Sequence, residues 1–321
     1  MSNVISPAVA VVIPSYKVKS HVLAVIGAIG KEVCRIYVVD DHCPEGSGSH
    51  VEQNCTDERV CVLYHEVNQG VGGAVVTGYK QAIQDEMDIV VKVDGDGQMD
   101  PSSIPRFIRR IVDGQADYTK GNRFFDIAGL ADMPPVRLFG NACLSFVSKV
   151  SSGYWNIMDP TNGYTAIHVN ILRNLPLDKI DKRYFFESDM LFRLGILRAV
   201  VHDVPLVSTY GLEESNLNVV KVAFEFPKKY ISCFFKRIFY NYFLRNFNVG
   251  SIELLGGSLL FVSGLIYGLV KWHEAYISGV PTATGTIMLA MLPILLGFQL
   301  LLAALNYDVS SVPVSPMHEL L

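Results

Sequence analysis

The first 215 residues alternate between short apolar runs and stretches of helical spacing. Residues 8–14, 35–41, 60–66 and 88–94 are near-continuous apolar runs, the pattern of strands covered on both faces. Between them, 19–30, 70–87 and 102–114 space their apolar residues as helices do. This alternation predicts an α/β domain on a mostly parallel sheet, whose ligands gather at the carboxyl ends of the strands. Asp40, Asp41, Asp94 and Asp96 all fall at such ends. Near the C-terminus the pattern changes to two long apolar stretches, 251–272 and 284–306. A helix of about 23 residues spans about 34 Å, enough to cross a hydrocarbon core of about 30 Å. The expected organisation is a domain over 1–215, a juxtamembrane segment over 216–249, a two-helix hairpin over 250–307 and a tail over 308–321.

Composition sharpens this picture. Half of the residues are hydrophobic and 18% are charged, drier than an average soluble domain, and the excess lies in the two apolar stretches. Residues 1–13 lack a charged n-region and a cleavage site and read as a strand rather than a signal peptide. Six cysteines without a C-x-x-C pair fit a reducing compartment and argue against a zinc site or a disulfide framework. The net charge of −4 excludes a generally basic nucleic-acid binder. Locally the balance reverses: from Lys221 to Phe247 there are six basic residues and one acid. Phe224, Phe226, Tyr230, Phe234, Phe235, Phe239, Tyr242 and Phe243 interleave with them, as in amphipathic helices lying on an anionic leaflet. The connecting loop 273–283 carries no lysine or arginine, so the positive-inside rule predicts a cytoplasmic catalytic domain and termini in a two-span membrane protein. Gly264 and Gly268 form a G-x-x-x-G pair suited to a helix contact, and self-association of the hairpin stays open.

The chemistry is concentrated in VVKVDGDGQMDP, residues 90–101. Asp94 and Asp96, at i and i+2 of an extended segment, point the same way, and Gly95 between them lets another group approach the backbone. Such oxygens suit a hard cation, Mg2+ or Mn2+, whose shell is normally completed by substrate phosphates. An EF-hand starting at Asp94 fails at Met99 and Pro105, a dinucleotide fingerprint at Val75, and a Walker loop at Tyr79. A bare D-x-D is also an ordinary acidic turn.

The neighbouring motifs favour the metal reading. VVIPSYK (11–17), YVVDDHCPEGS (37–47), NQGVGGAVVTGYKQA (68–82), the D-x-D segment, GNRF (121–124) and DPTNGYTAI (159–167) resemble, in order and spacing, family-2 glycosyltransferases of the GT-A fold. With the C-terminal hairpin the chain resembles their membrane-bound branch, the dolichyl-phosphate mannose synthases and bacterial polyprenyl-phosphate glycosyltransferases. One departure stands out: Lys17 and Val18 replace the Asn-Glu that these enzymes carry after the first strand.

The resemblance implies roles. Pro14 and Tyr16 lie beside the nucleotide base, and Asp41, with Asp40 behind it, contacts base or ribose; Asp40 is equally a strand-end helix cap. Asn68, Gly70 and Gly72 open a helix whose amides face phosphate. Asp94 orients the sugar or ribose and ligates the metal with Asp96 and Gln98. Arg123 and Arg137, with Lys120 as a further candidate, meet an acceptor phosphate, surface salt bridging being their alternative. Asp159 sits beneath the sugar, and Glu187 and Asp189 supply an acidic base or sugar contact, unless they simply stabilise a helix start. The implied reaction is inverting transfer from a UDP- or GDP-sugar to a polyprenyl phosphate, undecaprenyl or dolichyl. Rival readings are extension of a lipid-pyrophosphate-linked oligosaccharide in surface polysaccharide synthesis, a nucleotidyltransferase, and an inactive membrane scaffold.

Overall fold

A computed structural model describes residues 7–125, 135–206 and 219–321, the side chains of 136, 137 and 219–224 being outside the described residues. Two compact units result: Met1–Phe234 with Pro313–Leu321, and Phe235–Val312.

In the first unit the apolar runs form strands β1 (Val9–Ser15), β2 (Val33–Asp40), β3 (Val60–Tyr64) and β4 (Ile89–Lys92). Three more, β5 (Tyr118–Asn122), β6 (Thr165–His168) and β7 (Val201–Pro205), complete one sheet in the order β3-β2-β1-β4-β6-β5-β7. Only β6 is reversed, antiparallel to both β4 and β5. Its reversal brings residues 159–164, which precede it, to the edge where β1, β2, β4 and β5 end. The helices α1 (Val22–Gly27), α2 (Ser47–Asn54), α3 (Val71–Gln84), α4 (Ile104–Val112), α5 (Pro135–Ser152), α6 (Val169–Asn174) and α7 (Phe186–Leu197) connect the strands. On one face, Val11, Ile13, Ile36, Val38, Val91 and Val93 pack with Ile104 and Phe107 of α4 into a dry core. Phe107 stacks on Tyr164 with ring centroids 4.0 Å apart.

Two polar residues interrupt the apolar strands. Lys92 of β4 and Lys120 of β5 are both directly opposite Thr165 of β6. Paired residues share a sheet face, so the two lysines flank Thr165 in one buried row.

The helix α8 (Val219–Phe239) covers much of the basic-aromatic segment. In place of a wholly lipid-facing aromatic surface, Tyr230 and Cys233 are buried against Phe185 and Phe192 of the α7 region, with Phe226 packed beside them. The Tyr230 hydroxyl lies 2.7 Å from Ser188 Oγ. Lys221 and Phe224 of that expectation have side chains outside the described residues. Residues 313–321, read in sequence as a tail, pack on the first unit. Buried Asp117 accepts hydrogen bonds from the amides of Met317 and His318 at 2.8–2.9 Å and lies 2.7 Å from His318 Nδ1. The His318 ring stacks on His168 at 4.3 Å, and burial followed by the neighbouring His318 pushes His168 down to about 4.

In the second unit, α9 (Val249–Ser278) and α10 (Thr284–Ser310) pack side by side. Both are long and apolar enough to cross a membrane. Their outer faces leave Leu255, Leu259, Val262, Leu289 and Leu296 exposed. Contact is closest at glycines: a Cβ on Gly264 would stand 3.0 Å from Ala290 O, and one on Gly257 3.0 Å from Gly297 O. Arg237, one of the six basic residues, is buried in a bidentate pair with Asp308, at 2.6 and 3.1 Å, and Tyr242 donates to the same carboxylate.

Candidate active site

At the carboxyl edge of β1 and β4 lies a cavity of about 340 Å3. Seven of the residues singled out in sequence line it: Pro14, Tyr16, Asp41, Asn68, Gly70, Asp94 and Asp96. Arg183 and Tyr184, which the sequence reading missed, complete the wall; the run Lys182-Arg183-Tyr184 just ahead of α7 was their only signal. Val18, where the family carries glutamate, also lines the cavity, and a Cβ on Gly95 would meet it at 3.0 Å. The preceding Lys17 has φ 58°, a left-handed conformation that costs a lysine roughly 1–2 kcal/mol and an asparagine less.

The adjacent aspartates at the end of β2, Asp40 within it and Asp41 just beyond, take different partners. Asp40 is buried and accepts from the amides of Cys43 (2.7 Å) and Gly48 (2.6 Å), so the structure makes it a turn cap rather than a nucleotide contact. Asp41 accepts from the amides of Gln69 (2.8 Å) and Gly70 (2.7 Å) and lies 2.7 Å from His65 Nδ1, whose Nε2 lies 2.8 Å from Thr77 Oγ1. The loop before α3 is thus tied to Asp41, and the Gly73 amide donates to Lys182 O at 3.1 Å. These three amides are satisfied within the protein, contrary to an open cradle for phosphate. Gly70 has φ +89°, and a Cβ there would stand 2.6 Å from Lys182 O. Gly72 lies off the cavity, where a Cβ would overlap Asp181 O.

The acids and cations at the sheet edge form linked pairs. The Lys92 ammonium lies 2.8 Å from Asp94 Oδ1 and 3.4 Å from Glu187 Oε1, and donates to Gly163 O at 3.1 Å. Burial alone would depress this lysine, but Asp94 and Glu187 hold it above the ordinary lysine value. Lys120 is 0% exposed and donates to Asn162 O. It therefore has no surface to offer an acceptor phosphate. Burial pushes its ammonium down to about 8, against the pull of Glu187 and Asp159. Arg123 grips Asp159 with Nε at 2.8 Å and Nη2 at 3.1 Å. Burial favours the neutral acid at Asp159, yet the guanidinium wins and holds its carboxyl below the usual range. Asp189 is turned to Arg193 (2.9 Å) and the Asp181 amide (2.9 Å), while Glu187 alone of the α7 acids reaches Lys92. Arg137 belongs to α5, but its side chain lies outside the described residues.

The site offers a hard cation a small set of oxygens. Asp94 Oδ1 is buried without a hydrogen-bond partner, its approach to Lys92 being close but not aligned as a hydrogen bond. Asp96 accepts from the Gln98 amide at 3.0 Å, and Gly97, at φ +79°, makes the turn between them. No cluster of three His, Cys, Asp or Glu suited to a metal occurs among the described residues. The donor set thus fits a cation that takes one or two carboxylates and fills its shell with phosphate oxygens.

An open sheet with acids at its carboxyl edge and a cavity above them is the frame of a sugar-nucleotide enzyme of the GT-A type. Glucosyl-3-phosphoglycerate synthase from Mycobacterium tuberculosis, solved with Mn2+, UDP and glucosyl-3-phosphoglycerate, shares the fold at TM-score 0.53 and 16% identity, over 72% of this chain and 80% of that one. The chain belongs to glycosyl transferase family 2, whose sequence profile matches residues 10–175. It is 29% identical to undecaprenyl-phosphate mannosyltransferase of Micrococcus luteus, over 61% of this chain and 81% of the relative. It is 32% identical to UDP-N-acetylglucosamine–dolichyl-phosphate N-acetylglucosaminyltransferase of Methanococcus voltae, over 47% and 60%. Dolichol-phosphate mannosyltransferase of Pyrococcus furiosus is 24% identical over 56% and 51%.

Proposed function

We propose that the protein is a metal-dependent, inverting glycosyltransferase that moves a sugar from a UDP- or GDP-sugar to a polyprenyl phosphate at the cytoplasmic face of a membrane. The observation that carries this reading is the convergence of Pro14, Tyr16, Asp41, Asn68, Gly70, Asp94 and Asp96 on one cavity. Tyr16 and Tyr184 offer ring faces to a base. Arg183 supplies positive charge to a diphosphate. Asp96, with Gln98 beside it, would hold Mg2+ or Mn2+, which when bound supplies positive charge to the departing diphosphate, and Asp94 would orient the sugar or ribose of the donor.

The acids support a phosphate acceptor over a hydroxyl. Asp159, Glu187 and Asp189 each already pair with a cation, Arg123, Lys92 and Arg193 respectively. Arg123 holds the Asp159 carboxyl below the usual range and makes it a poor proton acceptor, while Asp189, raised by burial, is turned away to Arg193 and the Asp181 amide. A phosphate monoester brings its own negative oxygen and needs no base. Arg123, at the edge of the sheet, and Arg137 are the cations assigned to it. Next in sequence to Arg123 and Asp159, Phe124 and Met158 line a largely apolar cavity of about 350 Å3 with Leu138, Ala142 and Phe146, suited to an isoprenoid chain. The names of the M. luteus, M. voltae and P. furiosus relatives all specify a polyprenyl phosphate. The basic residues ahead of α9 and their absence from 273–283 support the cytoplasmic assignment.

The test incubates purified protein with labelled UDP- and GDP-sugars, Mn2+ or Mg2+, and undecaprenyl or dolichyl phosphate, and weighs the lipid product. A glycosyl monophosphate lipid is expected. Transfer only to a lipid-linked saccharide would refute the acceptor, and release of pyrophosphate from a nucleoside triphosphate would refute the reaction class.

A further inference from the structure

Lys92 stands in VVKVDGDGQMDP but is not among the residues given a role there, yet it lies at the centre of the site. Its side chain is 1% exposed. Residues at i and i+2 of an extended chain share a face, so Lys92 sits directly beneath Asp94. Glu187 arrives from the start of α7, and Gly163 from the loop before β6. The geometry excludes a side chain at Gly163: a Cβ there would overlap Lys92 Nζ and stand 2.8 Å from Asp94 Oδ2. An ammonium so buried is tolerated only when ionised partners surround it. The ion-pair partners of Lys92 are Asp94 and Glu187.

We infer that Lys92 is a positioning residue that divides the work of the two aspartates. Its charge neutralises Asp94, holds that carboxylate off the divalent cation and leaves it to accept from hydroxyls of the donor. Asp96, two residues further on, is the carboxylate that meets the cation. The inference deepens the proposed function and rests on its donor and cation. Two like carboxylates would otherwise compete for the same ion, and the cation would draw Asp94 away from the sugar. Lys92, fixed under Gly163, prevents that exchange.

The test compares full-length Lys92→Met with wild type in detergent. Mn2+ binding is followed by electron paramagnetic resonance with UDP and, in parallel, with GDP, without acceptor and hence without turnover. Loss of a positive charge next to the ion is expected to tighten Mn2+ binding on the order of tenfold. Donor KM should rise, also on the order of tenfold, with a smaller change in kcat. Unchanged Mn2+ affinity would overturn the inference, as would weaker Mn2+ binding that merely tracks a lowered Tm, the mark of a structural lysine. Should Lys92→Met not fold, Lys92→Gln keeps the length without the charge and is scored in the same way. Gly163→Ala, which displaces the ammonium, should reproduce the tighter Mn2+ binding. A wild-type protein that neither binds Mn2+ with nucleotide nor transfers sugar would sink the underlying function, whereas an active wild type with an indifferent Lys92→Met sinks only the role of Lys92.

Discussion

Replacing Lys120 by methionine separates a buried structural cation from an acceptor contact. The folded protein holds this ammonium at about 8 against an ordinary value of 10.5. At about 1.4 kcal/mol per pH unit, the charged form is disfavoured by roughly 3 kcal/mol. Below pH 8 the lysine is protonated in both folded and unfolded chains, so the folded state carries this penalty in full. Between pH 8 and 10.5 the folded protein gives up its proton first and the unfolded chain binds more, so stability rises with pH. Lys120→Met lacks this rise, and other groups cancel in the comparison. Thermal unfolding of full-length protein in detergent should show the wild-type Tm gaining roughly 6–12 °C over the variant between pH 8 and 10.5. Acceptor KM should stay close to wild type, because the ammonium donates to Asn162 O and is wholly buried. Parallel Tm curves, or a large rise in acceptor KM with donor KM unchanged, would refute the reasoning.

Exchange of Asp96 for alanine, or chelation of the divalent cation, should lower sugar transfer by at least ~100-fold, measured by lipid product; full activity after either would exclude a metal at this aspartate. Asp117→Asn cannot accept the tail's amides and His318 together, and should cost on the order of 2–4 kcal/mol. Hydrogen exchange should then show residues 315–320 deprotected, and retained protection would contradict the anchoring. Gly72→Ala forces a methyl onto Asp181 O and Phe186, costing roughly 1–3 kcal/mol and raising donor KM through the shifted 181–184 segment; an unchanged Tm would show that the segment yields freely.

The half of the sheet that precedes the D-x-D was legible because its strands are apolar on both faces. β1 to β4 fall within two residues of the runs read from periodicity. The other half was not. β5, Tyr118–Asn122, has a lysine, a threonine and an asparagine among its five residues, all buried. Such a segment has neither an apolar run nor a clean alternation, since its polar side chains are satisfied by groups far along the chain. β6 has four residues and is reversed, and no local pattern states which way a short strand runs. The tail was equally opaque: its anchor, Asp117, lies about 200 residues upstream.

In the site, sequence located the acids better than it located what they face. Asp40 ends β2 and Asp41 follows it, and neighbouring residues of an extended chain point to opposite faces. Only one could serve the cavity, and the other had to find amides of its own, as Asp40 does at Cys43 and Gly48. The cations were harder, because a lysine inside an apolar strand gives no local sign of its partner. Lys92 finds Glu187 95 residues away, and Lys120 finds Asn162 42 away. Once placed, they change what the acids can do: Asp94 and Glu187 share Lys92, and Asp159 is clamped by Arg123. A site whose acids are already paired with fixed cations holds them in place. It acts as a rigid electrostatic mould, and that suits a reaction in which both the leaving group and the attacking group are phosphates.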